Sequence, residues 1–183
     1  MKHDNMTALQ ALQCLKNGNK LYLASSNAVG NTSPERRLET ARNGQHPYAV
    51  IVGCADSRVI PESIFCAGIG DIFVIRGAGN VIDGTQLGSV EYAVEHLGTK
   101  LVVVLGHTGC GAVGAAMHEN SGHVKCITDE IKRAIGGETD EVKASVLNVK
   151  NSVNVIKKNI SADGLEVIGA LYHTDSGVVD FEI

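Results

Sequence analysis

The sequence predicts an α/β fold: a single domain with a mostly parallel central β-sheet flanked by helices, and an N-terminal helical arm. Short uninterrupted apolar runs recur along the chain and are typical of strands buried on both faces. Amphipathic helical stretches separate these runs, as expected where crossovers join parallel strands. The chain of 183 residues, with no internal repeat and no evident linker, is long enough for one domain with its own core.

Two helices are expected before the first strand. From Met6 to about Leu23, apolar residues recur at near-helical spacing, which predicts an amphipathic helix with Thr7 as its N-cap. Because this helix precedes the core, we hypothesise that it lies across a neighbouring subunit. Ser33-Pro34 is typical of a helix start, and the second helix should end near Asn43-Gly44.

The rest of the chain alternates between strand-like and helix-like patterns. Strands are predicted for the apolar runs Tyr48–Cys54, Ile72–Ile75, Leu101–Leu105, Leu165–Leu171 and Val178–Phe181. Helices are predicted for Gln86–Leu97, Cys110 to about Glu119, Ile127–Ile135 and Val142–Ile160.

Composition and charge exclude several classes of partner. The net charge of -4 provides no basic surface for nucleic acid or anionic membranes. No apolar run approaches the ~20 residues of a membrane-spanning helix, and the N-terminus lacks a signal-peptide pattern. The five cysteines are odd in number and irregularly spaced, unlike a secreted disulfide framework. We therefore expect a cytoplasmic protein whose cysteines serve in metal binding, in reactions or in simple burial.

Metal-binding side chains follow two of the predicted strands. Cys54 ends the first strand after Gly53, and His107 and Cys110 follow Gly106 at the end of the central strand. The carboxyl ends of parallel strands lie at one edge of the sheet, where open α/β sheets bind ligands. Two thiolates and one imidazole form a catalytic zinc set with a fourth position left open, and thiolates favour zinc over magnesium or calcium. Taken singly, each residue is better explained as a buried cysteine or a histidine at a strand end.

Asp56 and Arg58 lie two and four residues after Cys54. The Asp56 carboxylate can serve as a fourth zinc ligand, or Arg58 can hold it in a bidentate pair and leave that position open. Zinc with two thiolates and a neutral imidazole carries no net charge, so it attracts a fourth anion less than a site with three imidazoles would. The remaining alternative is a surface ion pair that contributes little.

The segment Gly109–Gly114 also matches the three-glycine fingerprint of dinucleotide-binding proteins. That fingerprint requires a second buried strand that ends in an acidic residue about 20 residues later. Asp129 and Glu130 lie near that distance, but residues 121–128 are not an apolar run. We therefore interpret the glycines as allowing a helix to begin close to a metal, not as a nucleotide site.

Two motifs carry a resemblance to a known family. The paired zinc motifs of the β-class carbonic anhydrases closely resemble CADSRV at residues 54–59 and HTGCGA at residues 107–112. The resemblance extends from Gln45 to the C-terminus and includes residues 61–62, 73–76, 78–80, 91–94 and 169–172. It implies that Cys54, His107 and Cys110 bind one Zn²⁺ per chain. It also implies that Asp56 and Arg58 form the dyad that orients the zinc-bound water.

The resemblance further implies a substrate site and an assembly. Gln45 falls where part of the family has a substrate-binding glutamine, and Phe73 and Tyr92 fall where aromatic residues line the cleft across a dimer interface. Ile51 stands where a bicarbonate-regulated subtype has a tryptophan, so the chain is more similar to the constitutively open subtype. We expect a homodimer or a dimer of dimers, with residues 1–44 as a helical arm and residues 45–183 as the zinc-binding core.

The function implied by the resemblance is zinc-dependent, reversible hydration of CO2 to bicarbonate and a proton by zinc-bound hydroxide. Relatives of this fold hydrolyse carbonyl sulfide or carbon disulfide, and the motifs leave that alternative open. A third interpretation is a non-catalytic zinc or thiol-redox module. The Asp56–Arg58 pair argues against it, because a purely structural zinc site would be expected to have a fourth cysteine or histidine.

Overall fold

A computed structural model describes residues 6–25, 27–118, 122–181 and 183. Five strands in this part of the chain form one sheet: β1 (Ala49–Cys54), β2 (Ile72–Gly77), β3 (Leu101–His107), β4 (Glu166–Tyr172) and β5 (Val179–Asp180). Their order in the sheet is β2-β1-β3-β4-β5. Strands β1 to β4 are parallel, and β5 runs antiparallel to β4. The predicted mostly parallel α/β sheet is confirmed.

Helices cover both faces of this sheet. They are α1 (Ala8–Ala24), α2 (Pro34–Asn43), α3 (Pro61–Ile64), α4 (Gly84–Glu95), α5 (Gly111–Ala116), α6 (Lys125–Ile135) and α7 (Glu141–Asn159). Short 3-10 turns are present at Ala78–Asn80 and Gly122–Val124. Among the residues that the structure describes, no helix combines the length and apolar character needed to cross a bilayer.

The two central strands are buried along their whole length, which explains their uninterrupted apolar sequences. On one face, Ile51 and Val103 pack with Leu15 of α1 in the same apolar cluster. On the other face, the core contains Val104 of β3 and Val149 of α7. Alternate residues of each strand therefore enter different layers of the core.

Helix α1 packs on the sheet of its own chain. Thr7 caps it as predicted, through reciprocal hydrogen bonds with Gln10. Leu15 is fully buried, and Asn19 donates to the carbonyl oxygens of Ile64 and Gly177. This packing buries one face of the helix, whereas Leu9 and Leu21 remain 76% and 57% exposed. Contact of the helix with a neighbouring subunit stays a prediction.

The element boundaries differ from the sequence-based expectation where tertiary pairing or capping decides them. Strand β3 continues to His107 because that residue pairs with Tyr172 of β4. Helix α4 begins before the predicted Gln86 because Asp83 caps the backbone N–H groups of Thr85 and Gln86. Helix α5 ends at residue 116, whereas the predicted end at residue 119 lies outside the described residues. Helix α3 and the 3-10 turns are too short to show a periodic pattern.

Replacing Gly18 with alanine should destabilise the fold by about 1–3 kcal/mol, because overpacking forces the backbone to shift. A Cβ atom at Gly18 would lie 1.9 Å from the carbonyl oxygen of Phe65, which cannot rotate away. Gly137 is the matched control, since a Cβ atom there meets nothing within 4 Å. We expect Gly137→Ala to be neutral or slightly stabilising. Free energies of unfolding in urea measure both effects, and equal values for the two variants would contradict the prediction.

Candidate metal centre

Two adjacent parallel strands bring three potential metal ligands to one edge of the sheet. Cys54 is the last residue of β1, His107 is the last residue of β3, and Cys110 is the N-cap of α5. Their ligand atoms lie within 4.8 Å of one another, and all three residues are buried. The cluster is enclosed by apolar side chains that include Val113 of α5 and Ile131 of α6. The structure thus brings together the three residues that the sequence singled out at two strand ends.

The imidazole of His107 is oriented for a metal. Its Nδ1 atom lies 3.0 Å from the carbonyl oxygen of Thr108. A carbonyl can only accept, so Nδ1 carries the proton and Nε2 holds the free lone pair. His107 is completely buried, and its Nε2 has no hydrogen-bond partner within the described residues. A buried lone pair that faces two thiols fits a divalent ion, and this donor set is typical of zinc.

Hydrogen bonds distinguish the two thiols. The hydrogen bond from the Cys110 thiol lowers the pKa of Cys54 and raises the pKa of Cys110. The backbone N–H groups of Gly79 and Asp56 also donate to the Cys54 sulfur, at 3.2 and 3.4 Å. Cys54 is therefore the better thiolate, and a bound metal would displace the proton of Cys110.

The Asp56 carboxylate is held by Arg58. The arginine Nε lies 3.0 Å from Oδ1 and its Nη2 lies 2.7 Å from Oδ2, while the Arg58 backbone N–H also donates to Oδ1 at 2.9 Å. The hydrogen bond from this guanidinium holds the pKa of Asp56 well below its usual range. The same Nη2 donates to the carbonyl oxygen of Gly109 at 3.0 Å. The pair therefore bridges the segment after Cys54 and the segment before Cys110.

Asp56 lies beside the three ligand atoms. Its Oδ2 is 3.9 Å from Nε2 of His107. Of the arrangements considered from the sequence, the structure has the bidentate pair with Arg58. The carboxylate that the sequence offered as a fourth ligand is thus bound by Arg58 on both oxygens.

Arg76 supports the same loop and was not singled out from the sequence. Its guanidinium donates to the carbonyl oxygens of Cys54, Asp56 and Val59 at 3.0, 2.7 and 2.8 Å. The signal that could have found it is an arginine at the end of a strand next to the ligand-bearing loop. Its contacts are all to backbone, so side-chain patterns alone do not reveal them.

Within one chain, the fold places three predicted substrate-binding residues away from the candidate metal ligands: Gln45, Phe73 and Tyr92. Cys54 pairs with Gly77 in the sheet, whereas Phe73 pairs with Val50. Phe73 lies four residue steps along β2 from Gly77, which corresponds to about 13 Å. Gln45 is exposed and precedes β1, at the amino ends of the strands.

The two aromatic residues contact each other, with Phe73 half-buried against the core and Tyr92 exposed. The ring centroids of Phe73 and Tyr92 are 6.2 Å apart, and Tyr92 is 48% exposed. His96 lies next to Tyr92, with ring centroids 5.3 Å apart.

The fold after α5 does not follow the pattern of a dinucleotide-binding site. Residues after α5 form helix α6 over Lys125–Ile135, where the fingerprint requires a strand. Gly109 has a φ of 64°, a left-handed conformation that favours glycine in the turn just before Cys110.

A family model and curated sequences match most of this chain. A family model described as "Carbonic anhydrase" matches residues 49–179. "Carbonic anhydrase 2" of Mycobacterium tuberculosis is 37% identical, over 94% of this chain and 92% of that protein. The carbonic anhydrase of Mycolicibacterium smegmatis is 36% identical, over 96% of this chain and 94% of that protein.

Solved structures have the same fold. A Coccomyxa β-carbonic anhydrase in complex with acetazolamide superposes with a TM-score of 0.72 at 26% identity, over 82% of this chain and 78% of that one. A tetrameric β-carbonic anhydrase from Sordaria macrospora has a TM-score of 0.68 at 26% identity, over 80% of this chain and 90% of that one.

Proposed function

This chain belongs to the β class of the carbonic anhydrase family, and on that premise we propose that it catalyses the zinc-dependent, reversible hydration of CO2 to bicarbonate and a proton. The observation that carries the proposal is the buried cluster of Cys54, His107 and Cys110. Next to it, Arg58 holds the Asp56 carboxylate so that a fourth ligand position stays open to a reacting molecule. A site closed by a fourth protein ligand would suit a structural metal instead.

Cys54, His107 and Cys110 would hold one Zn²⁺ per chain. Zinc in such a site acts as a Lewis acid that makes water a nucleophile near neutral pH. The Nδ1–H hydrogen bond of His107 to a backbone carbonyl fixes the ring and the tautomer. The backbone N–H groups on the Cys54 sulfur hold the thiolate in place.

Asp56 and Arg58 would orient the attacking water. The lowered pKa of Asp56 keeps its carboxylate ionised throughout the neutral range, so it accepts a hydrogen bond and does not donate one. Arg58 fixes both carboxylate oxygens, and a remaining lone pair of the carboxylate accepts a hydrogen bond from the water. The oxygen of that water then presents its own lone pair to the carbon of CO2.

A second copy of the chain would complete the substrate site. In that site Gln45 would donate a hydrogen bond to a substrate oxygen. Phe73 and Tyr92 would form the apolar wall of the cleft. Their distance from the ligands of their own chain and the exposure of Tyr92 support a contribution across an interface. We propose a homodimer or a dimer of dimers, and the Sordaria relative is described as tetrameric. Residues 1–44 would form the helical arm and residues 45–183 the zinc-binding core.

The proposed location is the cytoplasm. All five cysteines are free, including the exposed Cys126. Thiols in this state are typical of a reducing compartment.

Stopped-flow CO2 hydration on protein of known zinc content tests the proposal. We expect turnover that is proportional to zinc occupancy, with carbonyl sulfide hydrolysed much more slowly under the same conditions. Hydrolysis of carbonyl sulfide without CO2 hydration would replace the proposed substrate. Full zinc occupancy with neither activity would favour a non-catalytic module.

Removing zinc should lower the thermal stability of the protein. An ion that binds the folded state and not the unfolded chain stabilises it by about 2.7 kcal/mol when its free concentration is 100 times Kd. We expect the midpoint of thermal unfolding to fall after chelation and to recover with Zn²⁺ but not with Mg²⁺, since thiolate ligands disfavour magnesium. Identical unfolding curves for chelated and reloaded protein would contradict the ligand assignment.

A further inference from the structure

Two buried polar side chains of α7 hold the turn beside Cys54. Asn148 is 2% exposed and its Nδ2 donates to the carbonyl oxygen of Gly79 at 2.7 Å. Ser152, one helical turn later, is 1% exposed and its hydroxyl donates to the carbonyl oxygen of Asn80 at 3.0 Å. The helix thus holds both carbonyl groups of the Gly79-Asn80 step.

This turn has an unusual backbone and a direct contact with a proposed ligand. Gly79 has a φ of 66° and Asn80 a φ of 46°, so two successive residues are left-handed. Such a conformation persists only where the surroundings hold it. The N–H of Gly79 donates to the Cys54 sulfur at 3.2 Å. A Cβ atom at Gly79 would lie 2.7 Å from the Ile131 side chain, so the turn is also closely packed.

We propose that Asn148 and Ser152 are positioning residues of the metal centre. By holding the 78–80 turn, they keep the Gly79 N–H on the Cys54 thiolate and keep that sulfur directed at His107 and Cys110. The inference rests on the proposed zinc-dependent function. Partners that orient metal ligands from outside typically contribute about 10–100-fold to metal affinity.

Two other residues of α7 serve as controls for effects on helix stability alone. Ser145 lies on the same helix and is 3% exposed, but its hydroxyl donates to Glu141 of its own helix. Val153, next to Ser152, packs in the apolar core, and its side chain has no polar atom that could bond to the turn. Ser145→Ala and Val153→Ala therefore remove a buried hydroxyl and a buried apolar group from α7 without removing a bond to the turn.

The experiment compares zinc affinity, by competition with a chelator, in Asn148→Ala, Ser152→Ala and the two control variants. We expect both turn-directed variants to bind zinc about 10–100-fold more weakly than the wild type. We expect the thiolate-to-cobalt absorption band of the Co²⁺-substituted protein to shift in the same two variants. Ser145→Ala and Val153→Ala should keep the wild-type affinity and band, even where they lower the unfolding midpoint.

Ser152→Thr keeps the hydroxyl and should bind zinc with the wild-type affinity. If Asn148→Ala does not fold, the comparison of Ser152→Ala with Ser152→Thr tests the inference without it. The inference would be overturned if Asn148→Ala and Ser152→Ala lost no more zinc affinity than Val153→Ala. A wild-type protein that binds no zinc, or binds it without hydrating CO2, would instead reject the proposed function. If the wild type binds zinc and hydrates CO2, but all the variants bind zinc equally well, only the positioning role is rejected.

Discussion

Cys110→Ser is expected to leave well below one zinc per chain. Serine replaces a soft thiolate with a hydroxyl that is protonated near neutral pH, so the site loses one of three proposed ligands. The loss should exceed the ~10–100-fold effect of removing a partner that only orients a ligand. CO2 hydration should fall with the zinc content. Elemental analysis of dialysed protein measures the occupancy directly.

Cys126→Ser is the matched control for this variant. Cys126 is exposed, and its thiol donates to the backbone carbonyl of His123. The control should retain one zinc per chain and full activity. Full zinc occupancy in Cys110→Ser would reject the ligand assignment, whatever the rate of hydration.

Asp56→Ala is expected to retain zinc and lose most CO2 hydration. The carboxylate lies beside the ligand cluster but is held by Arg58, so its removal should spare metal binding. Without the carboxylate the attacking water is no longer oriented, and a reacting atom misplaced by about 1 Å can lower the rate about 10²-fold. Stopped-flow rates normalised to bound zinc measure the effect.

Asp129→Ala provides the control for removing an exposed acid. Asp129 forms a solvent-exposed ion pair with Lys125 on α6, and its loss should leave the rate unchanged. An unimpaired rate in Asp56→Ala would remove Asp56 from the mechanism. Loss of zinc from that variant would show instead that Asp56 contributes to metal binding.

The sequence by itself determined the fold class and the three candidate metal ligands. Uninterrupted apolar runs separated by amphipathic helices require a parallel sheet covered on both faces, because neither face of such strands can be left in water. A thiol or imidazole directly after such a run must lie at the carboxyl edge of the sheet. That reasoning from Cys54, His107 and Cys110 needs only local pattern and the rule that parallel strands share an edge.

Only the tertiary structure decided how the rest of the site is arranged. Contacts between distant segments decide which strands neighbour β1. They also decide which carbonyl groups Arg76 binds and which turn Asn148 holds. Periodicity reports which face of an element is buried, but it does not report what that face meets. The position of Phe73 at the far end of β2 from the ligands likewise follows from strand register, which is set by packing and hydrogen bonding together.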